Sequence, residues 1–136
     1  MVTRVITLNV NGIRSAEKKC LMKWLSTQNP DFVCFQELKA QFKDLSERHL
    51  TLKVHKNELK SVLCCAEKPG YSGVSIMSSK QPSGVSTGIG KTEFDCEGRV
   101  IRADFDNFLP QFPKFSVVSL YLPSGSSSER RQSAKF

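Results

Sequence analysis

The sequence predicts a layered α/β fold, or α+β fold, and three of its features support that prediction. Residues 5–8 and residues 32–35 are short apolar runs of the kind that form buried strands. Between them, apolar residues recur at helical spacing, which gives the order strand, helix, strand. After residue 70, further strand-like segments follow with few helical patterns among them. Helices packed against sheets are the architecture that accommodates this order.

The first helix is predicted to begin at Ala16, after Ser15, and to end near Gln28. Ser15 is a residue type that caps helices, and Asn29-Pro30 stops the pattern. The apolar stripe along this helix consists of Ala16, Cys20, Leu21, Trp24 and Leu25. We expect this stripe, including the Cys20 thiol, to face the core.

The second half of the chain is predicted to consist mainly of strands. Residues 74–77 and 99–105 alternate between apolar and polar side chains, and residues 115–121 form a further strand-like segment. The stretch 81–90 is rich in Gly, Ser and Pro and is predicted to be a loop. Residues 106–110 are predicted to lie in the loop of a hairpin.

Two segments have a weaker pattern. Residues 41–69 suggest only a short helix near Phe42 and a strand over 62–66. Near the end of the chain, Ser126 and Glu129 have the capping-box spacing, which predicts the start of a helix. Only seven residues follow Glu129, so a frayed tail and a chain that stops inside a helix are both open interpretations.

Composition and charge narrow the class of protein. The chain has 136 residues, enough for one domain, and a net charge of +7, which favours a polyanionic partner such as nucleic acid. No apolar run approaches the roughly 20 residues of a membrane span, so no membrane association is expected. The five cysteines include no CxxC pair, and an odd number of unpaired thiols suits a reducing cytoplasm. We therefore expect a cytoplasmic protein.

Polar side chains follow both buried strands of the first strand-helix-strand unit. Glu37 comes directly after the second strand, and Asn9 and Asn11 follow the first, beside Gly12. One carboxylate, together with water and phosphate oxygens, is a common way to hold Mg²⁺. If the two strands are neighbours, the three side chains converge at one edge, although each taken alone is equally typical of a solvated turn.

Cations and a phenol are predicted to surround that edge. Arg14, Lys18 and Lys19 lie at the start of the predicted helix, where cations are disfavoured unless an anion is near. Lys39 follows Glu37 by two residues, Arg99 opens a predicted strand and Tyr121 closes one. Donors of this kind can stabilise the charge of a phosphoryl group.

Five motifs in this order resemble the exonuclease III family of abasic-site endonucleases and 3′-to-5′ exonucleases. They are Thr-Leu-Asn-Val-Asn-Gly-Ile-Arg (7–14), Phe-Gln-Glu-Leu-Lys (35–39), Gly-Tyr-Ser-Gly-Val (70–74), Glu-Gly-Arg (97–99) and Tyr-Leu-Pro-Ser-Gly (121–125). Residues 67–73 and 97–105 look bacterial in style. The resemblance implies a four-layer α/β-sandwich of the DNase I-like type within the endonuclease/exonuclease/phosphatase superfamily. Residues 1–136 would be the N-terminal part of one such domain.

The resemblance also implies roles for individual residues. Glu37, Asn9 and Asn11 match the positions that hold the metal, Mg²⁺ with Mn²⁺ as an alternative, and Asn9 also supports the phosphate. Tyr121 matches the tyrosine beside the scissile phosphate and counts, with Asn9, as catalytic. Residues that contact DNA or position the site are matched by Arg14, Lys39, Tyr71 and Arg99, with Lys19 as a further backbone contact.

Family members are about twice this length, and their second half supplies the catalytic His and Asp residues. We interpret His49 and His55 as surface residues, so the 136 residues alone are expected to be inactive. The implied function is Mg²⁺-dependent hydrolysis of double-stranded DNA 5′ to abasic sites or from 3′ ends, by a monomeric, nucleoid-associated protein. The alternatives are a truncated, non-catalytic DNA-binding product, and a superfamily phosphatase or retroelement endonuclease.

Overall fold

Two β-sheets form the centre of the protein in a computed structural model, which describes residues 2–123. The first sheet has the strand order β1-β2-β5-β4-β3. Its strands are β1 Val5–Asn9, β2 Phe32–Gln36, β3 Thr51–Val54, β4 Asn57–Cys64 and β5 Val74–Ser78. The second sheet has the order β6-β7-β8. Its strands are β6 Gly84–Thr87, β7 Val100–Leu109 and β8 Phe112–Leu120.

The pairing of β1 and β2 decides where the polar motifs meet. These two strands are parallel, with Asn9 opposite Gln36, so both carboxyl ends lie at the same edge of the sheet. Strand β5 is antiparallel to β2, with Val74 opposite Gln36, and therefore begins at that edge. The converging loops that the sequence predicted after the first two strands are confirmed by this register.

The predicted single helix is in fact two short helices, α1 Ile13–Lys18 and α2 Leu21–Thr27. Cys20 separates them with a left-handed backbone (φ 66) that a continuous helix excludes. The break rotates the apolar stripe, so Leu21, Met22 and Leu25 are buried whereas Trp24 is 52% exposed. The prediction that Cys20 is buried was wrong for the same reason, since the thiol is exposed.

The core consists of two apolar layers on opposite faces of the first sheet. On one face, α1 and α2 pack against side chains that include Val33 and Phe35. On the other face, Phe32 and Cys34 pack against the second sheet, which contributes residues such as Ile101. Strand β2 is therefore buried on both sides, as its unbroken apolar sequence predicted. The result is a layer of helices, a sheet and a second sheet.

Other elements partly agree with the sequence. The strands at 74–77, 99–105 and 115–121 are confirmed, but β7 and β8 extend further and narrow the hairpin turn to residues 110–111. The predicted loop 81–90 contains β6, because its residues 84–87 pair with β7. A 3-10 turn is present at Phe42–Asp44 and a short helix, α3, at Glu47–Leu50.

Further differences concern single residues and two short helices. His49 is 4% exposed in α3, so the prediction that it lies on the surface was wrong, whereas His55 is exposed. A last short helix, α4, spans Thr92–Asp95. The predicted helix start at Ser126 lies outside the described residues. Between residues 2 and 123, no helix has the length and apolar character needed to cross a membrane.

Candidate active site

The site lies where five segments meet at one edge of the two sheets. We call this edge the rim and define it as residues 9–13, 37–39, 72–73, 98–99 and Tyr121. Residues 9–13 follow β1 and residues 37–39 follow β2, while residues 72–73 precede β5. The second sheet adds residues 98–99 at the start of β7 and Tyr121 at the end of β8. Both sheets therefore contribute to the rim.

Backbone hydrogen bonds join these segments one to the next. Gly12 N donates to Glu37 O over 2.8 Å, and Leu38 N donates to Gly73 O over 3.1 Å. Gly73 N in turn donates to Gly98 O over 3.1 Å. Because each segment holds its neighbour through the main chain, the side chains of the rim project from a fixed frame rather than from independent loops.

Unusual backbone conformations concentrate in the rim. Between residues 2 and 123, eight non-glycine residues have a positive φ, and four of them are Asn11, Glu37, Lys39 and Ser72. Left-handed conformations cost energy in such residues and persist where the surrounding structure holds them. Glu37 has φ 55, so the turn directly after β2 aims its carboxylate at the position where β8 ends.

Glu37 and Tyr121 form the central pair of the rim. Tyr121 Oη donates a hydrogen bond of 2.7 Å to Glu37 Oε1. Burial is the largest cause that raises the pKa of Tyr121, to about 12, and the hydrogen bond to the Glu37 carboxylate adds to it. The phenol therefore remains a protonated donor at neutral pH, in position to stabilise a developing negative charge.

Asn9, Asn11, Lys39 and Arg14 form a second chain of contacts. Asn9 Oδ1 accepts a hydrogen bond from Asn11 N over 2.9 Å, in the manner of an Asx turn. Lys39 Nζ donates to Asn11 Oδ1 over 2.6 Å, and Arg14 Nη2 donates to Lys39 O over 3.0 Å. The cations Lys39 and Arg14 therefore lie next to each other at the rim.

The donor set allows a test of the predicted metal position. Glu37 offers a half-buried carboxylate, and one carboxylate with water and phosphate oxygens suffices for Mg²⁺. Asn9 lies at the end of the neighbouring strand and can add an amide oxygen. Asn11 fits poorly, because its side-chain oxygen already accepts a hydrogen bond from the Lys39 ammonium, which would repel a metal cation. We assign Asn11 to anchoring Lys39 instead.

The other predicted DNA-binding residues lie in different environments. Tyr71 is half-buried, and Lys68 Nζ lies 5.4 Å from its ring centroid. Lys19 is exposed at the end of α1, about 9 Å along the helix axis from its start. Arg99 is only 1% exposed, so the expectation of a direct DNA contact does not fit its environment.

Two residues of the site, Gln36 and Lys68, were missed by the sequence-based predictions. Gln36 Nε2 donates to both Thr7 Oγ1 and Ser119 Oγ over 3.1 Å, which links β1, β2 and β8 directly below Glu37. Lys68 adds a cation beside the Tyr71 ring. Gln36 could have been found from its alternation with Phe32 and Cys34, which places it on the face between the sheets. Lys68 carried no such signal.

The two packed sheets with outer helices, and a carboxylate-phenol pair at their shared edge, place the chain in the class of α/β-sandwich proteins of the DNase I-like type. The chain belongs to the Endonuclease/Exonuclease/phosphatase family, whose family model matches residues 6–135. The predicted α/β fold and the resemblance to the exonuclease III branch are thereby confirmed.

Individual relatives agree with this assignment. The chain is 35% identical over 123 residues to the DNA repair nuclease APEX1 of Danio rerio, covering 90% of this chain and 37% of that protein. It is 33% identical over 122 residues to an exodeoxyribonuclease of Bacillus subtilis, covering 89% of this chain and 43% of that protein. An AP endonuclease structure from Archaeoglobus fulgidus matches with a TM-score of 0.74 and 29% identity, over 98% of this chain and 47% of that one. The chain thus spans less than half the length of these relatives.

Proposed function

We propose that the rim is the metal-binding and phosphate-binding part of a Mg²⁺-dependent phosphodiesterase site that acts on DNA, at abasic sites or at 3′ ends. The observation that carries the proposal is the Tyr121–Glu37 hydrogen bond of 2.7 Å, which joins a carboxylate and a protonated phenol at one edge. The flanking cations Arg14 and Lys39 supply the charge that a phosphate backbone requires. The names of the relatives support DNA as the substrate.

Each residue has a role that its geometry permits. Glu37 holds the Mg²⁺, with Asn9 as a supporting oxygen donor, and the bound metal supplies Lewis-acid stabilisation of the phosphate. When a phosphate is bound, the Tyr121 hydroxyl turns its single O–H from Glu37 Oε1 toward a nonbridging phosphate oxygen. Lys39, fixed by Asn11, and Arg14 neutralise the neighbouring phosphates. These contacts bind and orient the scissile group.

The described residues do not complete a hydrolytic site. Between residues 2 and 123, no group of three or more His, Cys, Asp or Glu side chains is arranged to hold a metal ion. His49 is occupied, because its Nδ1 accepts a hydrogen bond from Ser46 N over 3.0 Å. This favours the non-catalytic alternative, in which the 136-residue chain binds abasic DNA without turning it over.

The proposal is tested by binding and incision on the same duplexes. We expect Mg²⁺ to strengthen the binding of the chain to a duplex with one abasic site, measured by fluorescence anisotropy. Glu37→Gln should abolish this Mg²⁺ effect. Glu58→Gln is the matched control, because Glu58 lies at the opposite end of β4 from the rim. A Mg²⁺ effect that persists in Glu37→Gln would refute the assignment of the metal site.

Two further arms separate the alternatives. Incision of the abasic duplex should not exceed that of Glu37→Gln, and turnover above that control would refute the non-catalytic hypothesis. Inositol phosphates should not compete with the duplex for binding. Effective competition by them would favour a phosphatase of the same superfamily. The cytoplasmic, nucleoid-associated location and the monomeric state stay predictions.

A further inference from the structure

We propose that Arg99 is a positioning residue, whose buried guanidinium holds the Tyr121 phenol against Glu37 and does not contact DNA. The functional consequence rests on the proposed function, whereas the positioning itself is a property of the folded chain. Arg99 is the largest of the fully buried side chains, although it carries a charge. A buried guanidinium is costly unless it is paired, so its partners indicate what it is there to hold.

The guanidinium has one acidic and one phenolic partner. Arg99 Nε donates to Glu97 Oε2 over 2.5 Å, and Arg99 Nη2 donates to Tyr71 Oη over 2.8 Å. Glu97 neutralises the buried charge from two residues away, with 27% of its side chain exposed. Both contacts fix the plane of the guanidinium, because its donors form a rigid fork.

Aromatic rings surround the same group. The central carbon of the guanidinium lies 5.3 Å from the Tyr121 ring centroid, and 5.9 Å from the centroids of Tyr71 and Phe94. Nη1 has no hydrogen-bond partner among residues 2–123. The three aromatic rings are therefore the neighbours described around it. Contacts between a cation and aromatic faces are strongest when water is excluded, as it is here.

Arg99 and Tyr121 are also joined through the main chain. Val100 pairs with Leu120 in the β7–β8 ladder, and Tyr121 N donates to Arg99 O over 2.8 Å one step beyond that pair. The two side chains are therefore cross-strand neighbours on one face of the sheet. This is the face of Ile101, which packs against the first sheet, so the guanidinium supports the ring from the core side.

Three contacts thus hold Tyr121. Its backbone N–H donates to Arg99 O, its ring packs on the Arg99 guanidinium, and its hydroxyl donates to Glu37. Removal of the guanidinium would take away the charged group that packs on the ring, and leave only the apolar neighbours of the core. We expect the phenol then to turn toward solvent and to lose both its burial and its bond to Glu37. Simple loss of a nearby positive charge would instead leave the ring in place and its hydroxyl bonded to Glu37.

The environment of the Tyr121 ring at pH 7 distinguishes these cases. The chain has two tyrosines, so carbon-13-labelled tyrosine rings give two sets of NMR signals, which Tyr71→Phe assigns. In the folded chain the Tyr121 ring packs on Arg99 and its hydroxyl bonds to Glu37, so its signals differ from those of the urea-unfolded chain. We expect Arg99→Met to move the Tyr121 signals to the unfolded position while the rest of the chain stays folded, with Arg99→Lys intermediate. Tyr121 signals that stay at the folded position in Arg99→Met would overturn the proposal.

Two further variants make the test specific. Arg102→Met is the matched control, because Arg102 lies on the exposed face of the same strand and pairs with Asp104. Its Tyr121 signal should be unchanged. If Arg99→Met does not fold, Glu97→Gln removes the acidic partner and keeps the guanidinium, and a partial shift of the Tyr121 signals toward the unfolded position is expected. No change in that variant would count against the proposal.

DNA binding provides an independent arm. Each phosphate contact contributes about 0.9 to the slope of log affinity against log salt. Arg14→Met should reduce this slope by about one contact, whereas Arg99→Met should leave it unchanged. An equal reduction in both would assign Arg99 to the phosphate backbone and overturn the proposal. If the unmodified chain does not bind DNA, the proposed function fails, and the Tyr121 signal alone decides the positioning role.

Discussion

Tyr121 Oη donates a hydrogen bond of 2.7 Å to Glu37 Oε1, although 84 residues separate the two in the chain. Glu37 follows β2 in the first sheet and Tyr121 follows β8 in the second, so this bond joins the two sheets at the rim. Gln36 and Ser119 make a second tie directly below it, over 3.1 Å. The bond between the Glu37 carboxylate and the Tyr121 phenol therefore depends on how the two sheets pack against each other.

Replacing Tyr121 with Phe should remove the upper tie and keep the ring. A hydrogen bond to a charged group contributes about 1.5–3 kcal/mol, and Tyr121 is only partly buried, so we expect a loss of about 1 kcal/mol in the free energy of unfolding. Urea denaturation followed by circular dichroism measures it. The Tyr71→Phe variant gives the comparison for removal of a phenol elsewhere near the rim. Unchanged stability in Tyr121→Phe would show that the bond contributes nothing.

The same phenol predicts a dependence of stability on alkaline pH. The pKa of Tyr121 is about 12 in the folded chain and about 10 when unfolded, so the folded state retains its proton longer. This contribution is complete below pH 10 and is lost as pH rises toward 12. We expect the decline of stability above pH 10 to be shallower in Tyr121→Phe. Equal slopes in the two proteins would contradict the assignment.

His49 predicts a dependence on acidic pH. Burial is the largest cause that lowers its pKa from 6.5, with Arg48 adding to it. The folded state favours the neutral ring, whose Nδ1 accepts the Ser46 N–H, so stability is complete above pH 6.5 and declines as pH falls through the lower folded pKa. His49→Gln should flatten this decline in thermal melts, and His55→Gln, at an exposed position, should not. A decline that is unaltered in His49→Gln would refute this role.

The cysteines should differ sharply in reactivity. Cys20 is exposed, whereas Cys34 is buried between the sheets and burial raises its pKa to about 11. Because the thiolate is the reactive form, we expect a thiol reagent near neutral pH to label Cys20 in the folded chain and Cys34 only after unfolding. Mass spectrometry of peptides identifies the sites. Labelling of Cys34 at the rate of Cys20 would show that the sheets are not packed as described.

Gly98 should be far less tolerant of a side chain than Gly70. Both have a positive φ, +60° and +69°, so Ala imposes similar backbone strain of about 1–2 kcal/mol at either position. At Gly98 the added Cβ would also lie 2.5 Å from Ala66 N, whereas nothing lies within 4 Å at Gly70. We expect Gly98→Ala to lose at least about 2 kcal/mol more in urea denaturation. Equal losses would mean that the close approach of residues 66 and 98 is absent.

Several features of the site followed from local sequence patterns. The buried strands, their polar ends at Asn9 and Glu37, and the strand before Tyr121 were predicted because each depends on residues adjacent in the chain. The burial of Arg99 could also have been predicted from the sequence. Arg99 lies on the same face of its strand as Ile101 and Ala103, which are buried. Arg99 was predicted to contact DNA instead, in keeping with its positive charge. The helix break at Cys20 was not readable, because Cys has no special preference for a left-handed backbone.

By itself, the sequence determined the family motifs, the order of the predicted strands along the chain and the residue types at each strand end. Only the tertiary structure decided which of these residues meet. The phenol of Tyr121 bonds to Glu37, and the ammonium of Lys39 bonds to Asn11. These contacts form because strand register and the packing of the two sheets bring separate segments to one edge. A periodic pattern describes which face of a strand is buried. It carries no information about which distant strand covers that face, and that contact sets the hydrogen-bond partners in the rim and the raised pKa of Tyr121.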